Sequence, residues 1–214
     1  MAFKGTRNSP KLDNNPQARA AKIDIRRRAL AAIGADQAHV FDAFAGAGEL
    51  YAEVWKDAAS YTGCDLKYAP MRGDQRLMFA ADNRRVLRSI DLAPFNVFDL
   101  DAYGSPWEQA LIISARREVK ESERVAFAIT NGDGRAFTIR ANLPLPYAIR
   151  ELASLRGDVA GVGKNADQIQ DRILVGLAKR MRCRIEKRWQ ARGKTALVLY
   201  TAVVMVRPGL PAVV

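Results

Sequence analysis

The chain of 214 residues carries 34 Lys and Arg against 23 Asp and Glu, a net charge of +11. With 49% hydrophobic and 27% charged residues it can bury a core beneath a charged surface, which excludes a disordered chain and predicts one globular domain with short extensions. Cys64 and Cys183 alone cannot build a disulfide framework or a CxxC zinc cluster, and a single histidine, His39, excludes Ser-His-Asp relays and multi-histidine metal sites, so no metal is expected.

Residues 1–37 read as an amino-terminal extension. A polar, mobile basic arm over 1–14 precedes a helix over 16–33, with Asn15 as its cap, Pro16 at its first position and Gly34 as its stop. Ile23, Leu30 and Ile33 share the inner face of that helix, and Arg19, Lys22 and Arg26 recur at helical spacing on another.

The domain proper is expected over 38–208. His39 to Phe44 reads as a strand, Glu49 to Lys56 as a helix and Ser60 to Asp65 as a second strand. Arg76 to Ala81 is a third strand and Phe95 to Asp101 a fourth. Ser105-Pro106-Trp107-Glu108 has the form of a capping box that launches a helix to about Arg117, before a fifth strand over Arg124 to Thr130. Asn165 can cap a helix striped by Ile169, Ile173, Leu174 and Leu177, running to about Arg180. Met181, Cys183 and Ile185 then alternate with Arg182, Arg184 and Glu186, the period of a half-buried strand.

A turn over Gln190 to Lys194 leads into an apolar strand from Ala196 to Val206, which is too short to span a bilayer, and 209–214 form a tail. The first residues carry no apolar leader, so a cytoplasmic location is expected. Strands alternating with helices predict an α/β domain: a mostly parallel sheet, helices on both faces, and a carboxy-terminal antiparallel hairpin.

The most specific stretch follows the first strand: Asp42-Ala-Phe44-Ala45-Gly46-Ala-Gly48. Glycines there let the backbone turn tightly from strand to helix and approach a ligand closely. Asp65 ends the second strand, where a carboxylate can bind ribose hydroxyls, but Tyr51 stands where a GxGxxG fingerprint needs its third glycine. Gly161-Val-Gly163-Lys164-Asn165 lacks both the first glycine and the Ser or Thr of a phosphate loop. Trp55, Trp107, Trp189 and the two cysteines read as packing residues, and Thr130-Asn131-Gly132 as a turn or the rim of a pocket.

An acidic strand residue, a GxG loop and an acidic end to the second strand together resemble motifs I and II of class I S-adenosylmethionine-dependent methyltransferases, over about residues 38–206. The resemblance implies a Rossmann-like sheet with S-adenosylmethionine as cofactor. It places Asp42, Phe44, Ala45, Gly46 and Gly48 by the methionine part, Asp65 and Leu66 by the ribose, and Asp82, closing the third strand, by the adenine. Asp99 is expected beside the same cofactor.

The fourth strand ends Asp99-Leu-Asp101-Ala102-Tyr103-Gly104-Ser105-Pro106. This resembles motif IV of amino-methyltransferases acting on bases, above all the Asp-Leu-Asp-Pro-Phe-Gly-Ser-Pro form of tRNA guanosine-N2 methyltransferases, with Ala102 where that family has Pro. A base amine is a poor nucleophile because its lone pair is delocalised into the ring. A carboxylate at Asp101 and the Ala102 carbonyl can accept its N–H groups and stabilise the charge that develops, while Tyr103 stacks on the base. DNA adenine-N6 methyltransferases use a related Asp-Pro-Pro-Tyr pattern and remain the alternative, as does a cofactor-binding module that binds nucleic acid without catalysis. The basic flanks and motif IV disfavour a small-molecule or protein methyltransferase, and a Rossmann dehydrogenase is the remaining alternative, which nicotinamide binding would settle.

Charge is segregated along the chain. Residues 1–38 sum to +5, residues 39–138 to −3 and residues 139–214 to +9. Such flanks suit a nucleic-acid partner better than solubility alone, with Arg19, Lys22 and Arg26 on the first helix and Arg182, Arg184 and Arg188 on one face of a late strand as the phosphate contacts.

Overall fold

The computed structural model describes residues 16–68, 74, 76–132, 145–155, 166–193 and 198–209. The expected basic arm, the Asn15 and Asn165 caps, the Gly161–Asn165 stretch, Ala196, and the tail from residue 210 onward lie outside the described residues.

Helix α1 (Pro16–Ile33) leads into β1 (His39–Asp42), α2 (Glu49–Glu53), β2 (Ser60–Cys64), β3 (Leu77–Phe79), α3 (Asn83–Ser89) and β4 (Val97–Asp101). There follow α4 (Trp107–Arg116), β5 (Arg124–Asn131), α5 (Tyr147–Leu152), α6 (Ala166–Arg180), β6 (Arg184–Arg192) and β7 (Leu199–Val206). The strands form one sheet in the order β3-β2-β1-β4-β5-β7-β6. β1 to β5 run parallel, and β7 enters antiparallel between β5 and β6. The chain thus builds outward from β1 to β3, then crosses back to lay β4 on the other side of β1. That reversal leaves a crevice at the carboxyl ends of β1 and β4, the position where open α/β sheets take their ligands.

Side-chain alternation divides the core into two layers. Phe41, Phe98, Leu100, Phe127 and Ile129 pack on one face with α3, α4, α5 and α6. Val40, Val97, Ala126, Ala128 and Val204 pack on the other beneath α1. In β4 this period of two sends Asp99 and Asp101 to the same side as Val97, toward α1. The buried face of α1 comprises Ala18, Ile25, Arg26, Ala29, Leu30 and Ile33, so Arg26 lies inside the stripe that the sequence reading gave to apolar residues alone.

Several boundaries move for identifiable reasons. The helix expected to reach Lys56 ends at Glu53, and a 3₁₀ turn over Trp55–Asp57 swings Trp55 into the core. Asp82 does not close a strand: it is the N-cap of α3, its carboxylate accepting from the Arg84 N–H. The capping box at Ser105 does not form. α4 begins at Trp107 after Pro106 with no side-chain cap bond, while Glu108 turns outward to Arg84 and Arg88. β6 starts at Arg184 and continues to Arg192, past the turn expected at Gln190. Among the described residues no helix is long and apolar enough to cross a membrane.

Candidate active site

The crevice holds about 250 Å³ and is walled by Phe44 to Ala47 of the β1–α2 loop, by Glu49, Leu50 and Glu53 of α2, by Asp65, by Asp101 to Tyr103, by Thr130, and by Arg19, Lys22 and Ile23 of α1, while Gly48 lies outside the lining. Apart from the two helices, every wall comes from the carboxyl end of a strand or the loop that follows it. The contribution of α1, an element outside the expected catalytic segment, was not foreseen.

The loop after β1 is held chiefly through its own backbone. Ala43 N–H donates to the Asp99 carbonyl at 2.9 Å, Ala45 N–H to the Cys64 carbonyl at 3.1 Å and Phe44 N–H to Asp42 Oδ1 at 3.0 Å. Gly46 N–H donates to Asp65 Oδ2 at 3.0 Å, tying the loop to the end of β2. The other Asp65 oxygen accepts from Lys67 N–H at 2.8 Å, so both oxygens are oriented from behind while the side chain lines the crevice. Gly46 and Gly48 have φ of +49° and +89°, which favour glycine. A Cβ at Gly48 would strike the Arg76 guanidinium, which lies 5.8 Å from the ring centres of Tyr51 and Tyr68 and pairs with Asp74 at 2.6 Å. A Cβ at Gly46 would meet nothing nearer than the Phe44 carbonyl at 3.9 Å, so that glycine leaves open space over the loop. A close-approach loop beside an oriented carboxylate, followed by the exposed apolar side chain of Leu66, fits a nucleoside-bearing cofactor.

Opposite this loop stands a ladder of charges. Arg26, fully buried, donates from Nε to Asp99 Oδ2 at 2.8 Å and from Nη2 to Asp99 Oδ1 at 2.7 Å. Trp55 Nε1 adds a third donor to Asp99 at 2.7 Å. Arg26 Nη2 also reaches Asp101 Oδ1 and Thr130 Oγ1, each at 3.2 Å, and the Thr130 hydroxyl donates to Asp101 Oδ1 at 2.6 Å. One turn earlier, Lys22 Nζ lies 2.6 Å from Asp101 Oδ2. Helix residues four apart and strand residues two apart are each spaced by roughly 6–7 Å, so Lys22 and Arg26 match Asp101 and Asp99 in register.

Electrostatics follow from burial. Desolvation, with the Asp99 charge next, pushes the Asp42 carboxyl well above its ordinary range, although Phe44 N–H and the Tyr61 hydroxyl both donate to it. Burial and the same Asp42 carboxylate raise the Tyr61 phenol. Burial opposes the charge on Arg26, but Asp99 and Asp101 more than offset it and hold the guanidinium ionised.

The candidate residues therefore fall into distinct groups. Phe44, Ala45, Gly46, Asp65, Asp101, Ala102 and Tyr103 are brought together around the crevice. Asp42 and Asp99, expected beside the cofactor, are buried and do not line the crevice, one bracing the loop and the other pairing with Arg26. Asp82 is paired with Arg84 at 2.6 Å and stands outside the crevice wall. Arg26, expected on a phosphate-binding face, has no exposed surface. Lys22 is occupied by Asp101, and Arg19 pairs with Glu53 at 2.8 Å at the crevice mouth.

Arg182, Arg184 and Arg188 do not share a strand face. Arg182 lies in the turn before β6, and a bulge between Ile185 and Lys187 reverses the alternation. As a result Arg184 and Lys187 stand opposite Val206 and Val204, but Arg188 stands opposite Val203 and pairs with Asp171 of α6 at 2.5 Å. Trp55 packs in the core as expected, its indole N–H also donating to Asp99, and Thr130 lines the crevice as the expected rim. The signal for Arg26 was there: a charge four residues from Leu30 and four from Lys22, within the apolar stripe.

No protein-family model matches the chain, and no curated protein matches it. Its fold, a mostly parallel sheet closed by an antiparallel carboxy-terminal pair, is similar to that of solved methyltransferases. The N-methyltransferase NodS from Bradyrhizobium japonicum, crystallised with S-adenosyl-L-homocysteine, is similar at a TM-score of 0.56 and 14% identity over 96% of this chain and 94% of that one. Trm1 from Pyrococcus horikoshii with S-adenosyl-L-methionine gives a TM-score of 0.58 at 17% identity over 95% of this chain, which spans 58% of that chain. A didemethyltoxoflavin N1-methyltransferase from Burkholderia thailandensis gives 0.51 at 16% identity over 89% and 79%. At these identities the likeness is one of fold.

Proposed function

We propose that the chain is an S-adenosylmethionine-dependent N-methyltransferase that modifies an exocyclic amine of a nucleic-acid base, guanine-N2 of RNA foremost, in the cytoplasm. One observation carries this reading: Asp101 ends β4 on the crevice wall facing the Gly46 loop and Asp65, with the 81%-exposed ring of Tyr103 beside it. Neighbours of the same fold were crystallised with S-adenosylmethionine or its demethylated product, which supports the choice of cofactor.

Asp65 would hold the ribose hydroxyls and the Gly46–Gly48 loop the methionine end. The bound cofactor supplies an electrophilic methyl group. Asp101 and the Ala102 carbonyl accept the N–H groups of the amine, fix its lone pair toward the crevice, and Asp101 takes the proton that the methylated nitrogen sheds. Tyr103 stacks on the base, which in a paired strand must first be flipped out. Within the ladder Asp99 and Asp101 are balanced by Arg26 and Lys22, and at the crevice Arg19 pairs with Glu53.

The test is transfer of tritiated methyl into total RNA, duplex DNA and protein extract, with Asp101→Asn as control. Labelled RNA, and a loss on the order of 10²–10³ in the variant at unchanged cofactor affinity, are expected. Label in duplex DNA alone would move the reading to adenine-N6, and label in protein alone would overturn it. A second reading, a cofactor-binding module without transfer, is favoured by one contact, the 2.6 Å approach of Lys22 to the outer oxygen of Asp101. Cofactor and RNA binding with no label in any substrate would establish it.

A further inference from the structure

The described surface has a second concave feature, remote from the crevice. A groove of about 400 Å³ lies where the carboxyl ends of α4 and α6 meet the end of β7, and Arg116, Arg117, Arg180, Arg182 and Arg207 line it. It sits at the amino edge of β5, since Ser122 N–H bonds the Arg207 carbonyl and Arg207 N–H the Glu123 carbonyl there. The crevice is at the opposite edge, the length of the eight-residue β5 away, about 26 Å.

Two ordinary explanations for clustered arginines fail on the contacts. Neutralisation by carboxylates is incomplete. Glu123 engages Arg117, but Glu118 and Glu151 stand 3.7 Å from Arg207 and Arg180, and no carboxylate among the described residues pairs with Arg116 or Arg182. Capping of the helix ends at the groove fails because, among the described residues, none of these arginine side chains bonds the last carbonyls of α4 or α6. Arg116 reaches across to α3, donating to the carbonyl of Leu87 in its last turn and to that of Ile90 just beyond it, Arg117 donates to Phe95, and Arg207 to Val119.

Arg182 adds an independent observation. α6 closes with Cys183 N–H on the Ala178 carbonyl at 2.8 Å and Arg182 N–H on that of Lys179 at 3.0 Å, the pattern in which the left-handed residue is usually glycine. Here it is Arg182, at φ +56°. An arginine held in a backbone conformation that glycine adopts freely, with no carboxylate or carbonyl among the described residues receiving its side chain, points to a role outside the fold.

We propose that this arginine groove is a phosphate-binding surface for the RNA strand flanking the modified base. The proposal rests on the reading of the substrate as RNA. A structured RNA long enough to reach both edges of the sheet would be held here while one base enters the crevice, and a short oligonucleotide would reach the crevice alone.

The experiment compares the wild type with Arg182→Gly and with Arg116→Gln/Arg182→Gly. Binding of a tRNA-sized RNA is measured across a salt series, alongside methyl transfer into that RNA and into a short oligonucleotide. Arg182→Gly should unfold at the same or a higher temperature than the wild type, because the turn then holds its preferred residue. The double variant should bind the long RNA about tenfold more weakly at ~0.1 M salt and flatten the log–log salt slope by roughly one to two, with methylation of the short oligonucleotide unchanged. Unchanged affinity and slope in the double variant would overturn the groove while leaving the RNA reading intact if the wild type still methylates RNA. A wild type that neither binds nor methylates RNA would remove both.

Discussion

Arg26 of α1 and Asp99 of β4, 73 positions apart in the chain, meet as a fully buried two-point ion pair at 2.7 and 2.8 Å. Neither side chain touches the crevice, yet their pairing seats the amino-terminal helix against the strand whose last carboxylate, Asp101, does. Through Arg19, Lys22 and Ile23 the same helix forms part of the crevice wall.

Removing one member of such a pair leaves the other charge buried and uncompensated. Arg26→Met is expected to cost about 3–5 kcal/mol, on the order of 10 °C in Tm, and Arg26→Met with Asp99→Leu should cost less than the sum of the two single changes. Additive losses in chemical denaturation would show that the two residues act independently.

Cofactor binding should hinge on Asp65 and on the close fit at Gly48. S-adenosylmethionine at ~100 times its dissociation constant adds ~2.7 kcal/mol, a rise of roughly 5–10 °C for a chain of this size. Asp65→Ala should abolish most of that shift, and Gly48→Ala should both lower the unliganded Tm and weaken binding, since its Cβ would displace Arg76. A full shift in Asp65→Ala would exclude this carboxylate from the cofactor site.

The Asp42 carboxyl, raised chiefly by burial, gives a signed dependence on pH. Above the ordinary carboxylate pKa of about 4 the unfolded chain releases a proton that the native protein retains, so this group lowers stability as pH rises toward the raised native value. Asp42→Asn removes that slope. Its stability relative to the wild type should improve as the pH rises above about 4, and a difference that stays flat across urea titrations there would contradict the buried, proton-retaining carboxyl.

Burial pushes the Cys64 thiol up to about 11, and its Sγ donates to the Ala81 carbonyl at 3.3 Å. Cys64 should therefore resist a disulfide reagent at about pH 8 in the native protein and react on unfolding. Cys183, also free and only partly buried, should react first. Peptide mapping of the labelled protein distinguishes the two, and rapid native labelling of Cys64 would mean that the β2–β3 region opens readily.

Much of this protein was legible in its amino acids alone. Period-two apolar runs, the glycine pair after β1 and the spacing of helices between strands determined a parallel α/β sheet with an antiparallel close. They also located the Gly46 loop, Asp65 and Asp101 at strand ends, where backbone geometry makes a crevice whatever the packing. The partners of the charges were decided only by the tertiary structure. Arg26 and Lys22 looked like surface cations because helical spacing sets which residues share a face but not which element that face meets. Asp99, set beside the cofactor by the resemblance, is covered because alternation sends it to one side of β4 and α1 docks on that side. The bulge between Ile185 and Lys187 inserts one residue and turns Arg188 away from Arg184, a change no periodicity announces. Local periodicity is a property of each element alone; the pairing of buried charges depends on the register between elements, and that register exists only once α1 is docked on β4.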